Sequence, residues 1–181
     1  MTPVFVGLGS NQGASRDLLS ESVRRAEAAV PGHLAAVSSL YRTEPVGYTQ
    51  QADFFNAVAM FLGEPLPETW LQRLLSVEAG LGRRRDGPRW GPRRVDLDLL
   101  AVGALTLATP DLILPHPRLR ERRFVLTPWA EIAPDFTLPD GWSIGGLERA
   151  CPDGARVEAV AGPGWLEAGS GQDGGDEPHH G

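Results

Sequence analysis

The sequence contains no lysine; all 17 basic residues are arginine. A Walker-type phosphate loop and Schiff-base catalysis both need a lysine, so both are excluded. Any phosphate handled here must meet guanidinium groups, which stay charged and bind in a two-pronged fork. A GC-rich coding bias accounts for the same absence more simply. Cysteine is almost missing too. Cys151 stands alone, which rules out an intrachain disulfide framework and a cysteine-rich zinc knuckle. No apolar run approaches the ~18–20 residues of a membrane helix. Met1 to Ser10 has neither a basic n-region nor a long apolar h-region, so no secretory signal is expected. These absences fit a protein of the reducing cytoplasm with no membrane partner.

What is present is ordinary in amount and uneven in placement. The length of 181 residues, with 41% hydrophobic and 22% charged, argues for one globular domain. We expect that domain over residues 1–162. The segment 163–181, rich in glycine and acid, is expected to be a disordered tail. The tail holds Glu167, Asp173, Asp176 and Glu177 and no arginine, so it carries -4 of the net charge of -6. The body is therefore near neutral, unlike a general nucleic-acid binder. Yet Arg83, Arg84, Arg85, Arg89, Arg93 and Arg94 fall in one short stretch, and Arg118, Arg120, Arg122 and Arg123 in another. Dense arginine in a near-neutral body suggests a small polyanion held at one site.

Hydrophobic patterning predicts the elements. Val4–Leu8 reads as a buried strand, and Ser15 opens a helix with Leu18, Leu19, Val23, Ala26 and Val30 on one face. Leu34–Tyr41 reads as one strand and Phe54–Leu62 as another. Pro67 begins a second helix through Leu71, Leu74, Leu75 and Glu78. Residues 83–94 have no hydrophobic period and read as a long functional loop. Val95–Val102 is a strand, and short helical pieces follow near Arg118–Arg123 and Val125–Ile132. The order strand, helix, strand, strand, helix, strand is that of an α+β ferredoxin-like sandwich, a split βαβ antiparallel sheet with helices packed on it.

The sharpest chemical signal is Asp96-Leu97-Asp98 within a strand. Residues i and i+2 point to one face, so the two carboxylates stand side by side while Leu97 and Leu99 face the core. Two adjacent acids repel; a hard divalent cation such as Mg²⁺ relieves this. Two exposed acids paired with nearby arginines explain the same spacing. The arginine loop leading into the strand favours a metal–polyphosphate site, with carboxylates for the cation and guanidiniums for phosphate oxygens. Trp90, set in the loop beside Gly91 and Pro92, suits a cover that closes over a ligand. Gly7, Gly9 and Gly13 miss the dinucleotide spacing by one residue, and no ribose-binding acid follows, so a Rossmann reading is rejected.

Four segments carry a resemblance: residues 4–13 (VFVGLGSNQG), 41–56 (YRTEPVGYTQQADFFN), 83–98 (RRRDGPRWGPRRVDLD) and 115–124 (PHPRLRERRF). Together they resemble the 6-hydroxymethyl-7,8-dihydropterin pyrophosphokinases, over roughly residues 3 to 140. The resemblance implies a ferredoxin-like fold and transfer of pyrophosphate from ATP onto a pterin alcohol, with AMP leaving, in folate biosynthesis. It implies that Asp96 and Asp98 hold two Mg²⁺ ions and that Arg83 and Arg93 stabilise charge on the transferred group. Trp90 would cover the site. Phe54 and Phe124 would sandwich the pterin, with Thr43, Val46 and Asn56 at its edge. Leu71, Glu78, Arg85, His116 and Arg122 would contact nucleotide or phosphate. Pro117 and Asp111 stand where some members carry a tyrosine and an arginine. From the residues alone, Phe54 and Phe124 read first as core; His116 reads also as a rigid loop residue and Glu78 as a helix-surface acid.

Two competing readings remain at this level. A ferredoxin-like RNA-binding module would use Trp90 and the arginines, but Phe54-Phe55-Asn56 gives no RNP-like pattern. Another Mg²⁺-dependent nucleotidyl transferase would share Asp96 and Asp98 without needing the phenylalanine pair. The pyrophosphokinase reading takes ATP and the pterin alcohol as partners, no nucleic acid, and a monomer.

Overall fold

The computed structural model describes residues 1–11, 15–43, 52–82 and 95–170. The first strand, β1 (Thr2–Ser10), is buried along nearly its whole length. That is why it reads as a continuous apolar run: both of its faces are covered. It is followed by α1 (Ser15–Ala29), β2 (Gly32–Val37), β3 (Leu40–Thr43), β4 (Phe54–Gly63), α2 (Pro67–Gly80) and β5 (Asp96–Val102). The sheet runs β5-β1-β4-β3, with β2 also pairing β4, and these pairings are antiparallel. This is the ferredoxin-like order expected from the sequence. Pro67 sits in the first turn of α2, where its missing N–H costs nothing.

One face of the sheet packs on α1 and α2 through Leu19, Val23, Leu74 and Trp70, against Val4, Val6, Ala59 and Phe61. The other face carries Phe5, Val58 and Leu100, covered by α3 (Arg123–Ile132) and α4 (Ile144–Ala150) through Leu126, Trp129 and Leu147. Phe5 lies 5.0 Å from the Trp129 ring and 4.6 Å from Phe136. A short hairpin, β6 (Leu107–Ala108) with β7 (Ile113–Leu114), leads from β5 to a 3-10 turn at Leu119–Glu121.

Two expectations need correction. The single strand expected over Leu34–Tyr41 is two, broken at Ser38–Ser39. There the Ser38 hydroxyl takes the Val58 N–H at 2.9 Å, and the Glu131 carboxylate of α3 takes the Ser39 N–H. The tail expected over 163–181 also needs correction at its start, and residues 171–181 lie outside the described residues. A further strand, β8 (Val157–Ala161), adds to the edge of β3, and Pro163–Ser170 forms a 3-10 helix. Trp165 there is 2% exposed within the first core, and its Nε1 donates to the Ser38 carbonyl at 2.8 Å. Leu166 accepts from Ser20 Oγ on α1 at 3.2 Å. One large indole outweighs the glycine and acid around it.

Candidate functional site

The register places the chemistry. Asp96 of β5 and Asn56 of β4 both pair with Gly9 of β1; Asp98 and Val58 both pair with Gly7. Directly opposed residues of antiparallel strands share a face. So Asp96, Asp98, Asn56 and, by the period of two, Phe54 all stand on the face covered by α3. Leu97 and Leu99 point the other way into the first core. The sequence expectation for the two aspartates holds: both are half-buried, side by side, at the end of the sheet.

Asn56 is 6% exposed and donates from Nδ2 to Thr43 Oγ1 at 2.7 Å. Thr43 is 2% exposed. This bond fixes which way the amide points. Asn11, just past β1, donates to the Ala52 carbonyl at 3.2 Å and ties the end of β1 to the chain entering β4. Phe54 on β4 and Phe124 in the first turn of α3 are both half-buried, neither sealed into the core.

The start of α3 brings in the positive charge. Arg122 lies with its Cζ 5.7 Å from the Phe124 ring centroid, a cation–π distance. Burial lowers the Arg122 pKa; Asp98 and Asp96 nearby act to raise it. The guanidinium therefore shares one electrostatic neighbourhood with both carboxylates. His116 is held by its N–H to the Leu100 carbonyl at 2.9 Å, and its Nδ1 accepts from the Arg118 N–H at 3.2 Å. Burial, reinforced by the charges of Arg122 and Arg118, pushes the imidazole down to about 4. At neutral pH it is uncharged, with its proton on Nε2.

That shift predicts an acid-side stability slope. Between about 4 and the ordinary 6.5 the unfolded chain binds a proton at this position that the folded chain refuses. Stability therefore falls as pH drops through that window. Replacing His116 with Gln is expected to flatten this part of the profile in urea titrations. An NMR titration of the His116 ring in the ligand-free protein should give a midpoint near 4; a midpoint near the ordinary value would refute the burial argument.

The second arginine stretch is not one cluster. Arg122 faces the site. Arg123 is an anchor: its Nε donates to the Asp153 carbonyl at 2.8 Å, and its two terminal nitrogens reach Glu148 Oε1 and the Cys151 carbonyl at 3.1 Å each. Its backbone N–H meets Asp153 Oδ2 at 3.1 Å. This holds the first turn of α3, and so Arg122 and Phe124, against the chain that leads to β8. Nothing in the local sequence marks that role, because the partners lie 25 to 30 residues on. Arg120 pairs with Asp140.

Glu78 is not the helix-surface acid that its residues alone suggest: it is 2% exposed, and its Oε1 accepts the Leu97 N–H at 3.2 Å. It supports the edge of β5 between the two aspartates. Leu71 is half-buried on α2 against the first core, on the opposite side of the sheet from Asp96 and Asp98. Val46, Arg83, Arg85, Trp90 and Arg93 lie outside the described residues.

The donor set suits a hard cation. Asp96 and Asp98 offer carboxylate oxygens on one face, and no group of three or more potential metal-binding side chains occurs among the described residues. Two carboxylates with the remaining positions open match Mg²⁺ held jointly with phosphate oxygens and water, not a closed protein cage.

Comparison with known proteins agrees with this geometry. Residues 5–134 match the family model of 7,8-dihydro-6-hydroxymethylpterin-pyrophosphokinase. A 2-amino-4-hydroxy-6-hydroxymethyldihydropteridine pyrophosphokinase of Methylorubrum extorquens is 43% identical over 160 residues, covering 87% of this chain and 100% of that protein. The protein of the same name from Pseudomonas aeruginosa is 41% identical over 149 residues, covering 82% and 91%. Among solved structures, Plasmodium falciparum HPPK-DHPS aligns with a TM-score of 0.61 at 12% identity, over 83% of this chain. This chain spans 43% of that longer one, and the likeness speaks for fold alone.

Proposed function

The chain belongs to the 7,8-dihydro-6-hydroxymethylpterin-pyrophosphokinase family, and we propose that the sheet face formed by β3, β4, β1 and β5 is where its reaction takes place. That reaction is pyrophosphoryl transfer from ATP to the hydroxymethyl group of 6-hydroxymethyl-7,8-dihydropterin, in folate biosynthesis. The observation that carries the placement is the shared row: an amide suited to a heterocycle edge and a carboxylate suited to a cation stand on one face, two strands apart.

In this reading the flat pterin ring lies between Phe54 and Phe124, with Thr43, Asn56 and Val46 at its edge. A half-buried aromatic pair offers stacking area, and a buried amide supplies directional hydrogen bonds. Asp96 and Asp98 would hold two Mg²⁺ ions, which would supply neutralisation of phosphate charge beside the alcohol. Arg122, Arg83 and Arg93 would bind the phosphates; a guanidinium fork keeps them oriented and spreads the charge that builds on the transferred group. His116 and Arg85 would contact the nucleotide; Leu71, on the other side of the sheet, would not reach it. His116, uncharged, donates from Nε2. Glu78 acts through β5, holding the strand that carries both aspartates. Trp90 closes the site and keeps water from the nucleotide. Catalysis is thus positioning and charge neutralisation. We place the protein in the cytoplasm as a monomer, acting on small molecules and not on nucleic acid or membrane.

The test is AMP formation by the purified chain with ATP and Mg²⁺. AMP is expected only when the pterin alcohol is added. ATP breakdown at the same rate without the pterin would contradict the reading.

A further inference from the structure

We propose that Asp153 is a positioning residue for the reaction: it caps α3 from 30 residues away and so leaves the start of that helix to Arg122. The inference rests on the pyrophosphokinase reading of the face. It adds to that reading a residue outside 5–134, the stretch that the family model matches.

The start of α3 is chemically unusual. A helix leaves its first four N–H groups unpaired and carries partial positive charge there. Serine, threonine, aspartate or asparagine ordinarily fills the preceding position and accepts one of them. Arg122 holds that position here, with φ −121° and ψ 93°. Arginine has donors and no acceptor, so it cannot cap. Arg123 follows it, and no acid occurs in the first turn. Two guanidiniums at the positive end of the dipole disfavour the helix unless acceptors come from elsewhere.

They come from α4 and the chain just after it. Asp153 Oδ2 accepts the Arg123 N–H at 3.1 Å, which satisfies the first of the unpaired groups. Its Oδ1 accepts the Ala155 N–H at 2.9 Å, which holds the carboxylate in place. The Asp153 carbonyl takes Arg123 Nε at 2.8 Å. Glu148 Oε1 takes Arg123 Nη1 at 3.1 Å and the Thr127 hydroxyl, one turn on, at 3.3 Å. Both carboxylates are thus engaged by Arg123 and the body of α3. None of these bonds involves the Arg122 guanidinium, which lies by Phe124 in the neighbourhood of Asp96 and Asp98. A local cap at position 122 would replace that guanidinium. Capping from outside lets one position serve both as helix start and as the charge that faces the carboxylates. The same turn carries Phe124, so its placement sets the charge and the aromatic ring together.

The test is a double-mutant cycle on kcat for pterin-dependent AMP formation. Asp153→Ala is expected to lower kcat roughly 10–100-fold, the scale of a small misplacement passed on to reacting groups. Asp153→Asn keeps one acceptor and should recover part of that loss; it takes the same place in the cycle if Asp153→Ala does not fold. In an Arg122→Ala background the loss from Asp153→Ala should shrink to a few-fold, because residues that act through one another are not additive. Ser20→Ala removes a bond between α1 and the 3-10 helix on the other side of the sheet. It should lower the melting temperature and leave kcat unchanged. Amide exchange in the ligand-free protein reads the cap directly: the Arg123 N–H should exchange roughly tenfold faster in Asp153→Ala. A wild-type kcat in Asp153→Ala would overturn the proposal. So would the same fold-loss with Arg122 present or absent, which would make Asp153 a folding residue. Unchanged exchange at Arg123 would remove the cap. If the wild-type protein forms no AMP, the pyrophosphokinase reading fails and the positioning role falls with it, while the exchange result still decides the cap.

Discussion

Replacing either Asp96 or Asp98 with asparagine should lower pterin-dependent AMP formation by roughly 100–1,000-fold, the scale seen when one preorganised charge-stabilising group is removed. The substitution keeps size and removes charge. Both side chains are half-buried at the end of β5, while the residues that build the core there are Leu97, Leu99 and Leu100. The fold should therefore survive, and the loss should appear in kcat and in Mg²⁺-dependent ATP binding. Pterin binding without nucleotide should persist, because Asn56, Thr43 and Phe54 belong to other strands. Isothermal titration of each ligand into the two variants separates these effects. Full activity in either variant would remove the carboxylate pair from the mechanism.

The second large effect concerns stability. Replacing Trp165 with alanine should cost about 3–5 kcal/mol, the range for deleting a buried indole. It also leaves the Ser38 carbonyl without the Nε1–H it accepts at 2.8 Å. For a domain of this size the melting temperature should fall by roughly 10 °C. Ending the chain after Gly162 should do at least as much, since it also removes the Leu166 carbonyl that binds Ser20 and Arg24. Urea denaturation of the three proteins measures both losses. A truncated chain as stable as the full one would mean that Trp165 does not belong to the core.

The elements legible in the sequence are those whose own residues dictate them. β1 is a continuous apolar run because both faces are covered, β5 becomes one after Asp98, and α1 repeats its apolar positions at helical spacing. The facing of Asp96 and Asp98 follows from a period of two and needs no tertiary knowledge. What escaped is decided by distant partners. The break between β2 and β3 depends on Glu131, some ninety residues on. β8 exists because the edge of β3 is available to pair. α4 contains Gly145 and Gly146 and has no strong helical pattern; Ser143 starts it by accepting the Gly146 N–H at 3.1 Å. On the proposed site face, the alignment of Asp96 with Asp98 is legible from spacing alone, whereas Phe54 and Asn56 are singled out only by the family resemblance. The burial of Glu78 was not legible, because a carboxylate that supports a strand edge looks like any other helix acid.

The most direct test of the account is a single turnover of the full-length chain with ATP, Mg²⁺ and 6-hydroxymethyl-7,8-dihydropterin, with both products identified. The account predicts AMP and the diphosphate ester of the pterin alcohol in equal amounts. Release of inorganic pyrophosphate with a nucleotidylated pterin would contradict it, and would make the two aspartates part of a nucleotidyl transferase.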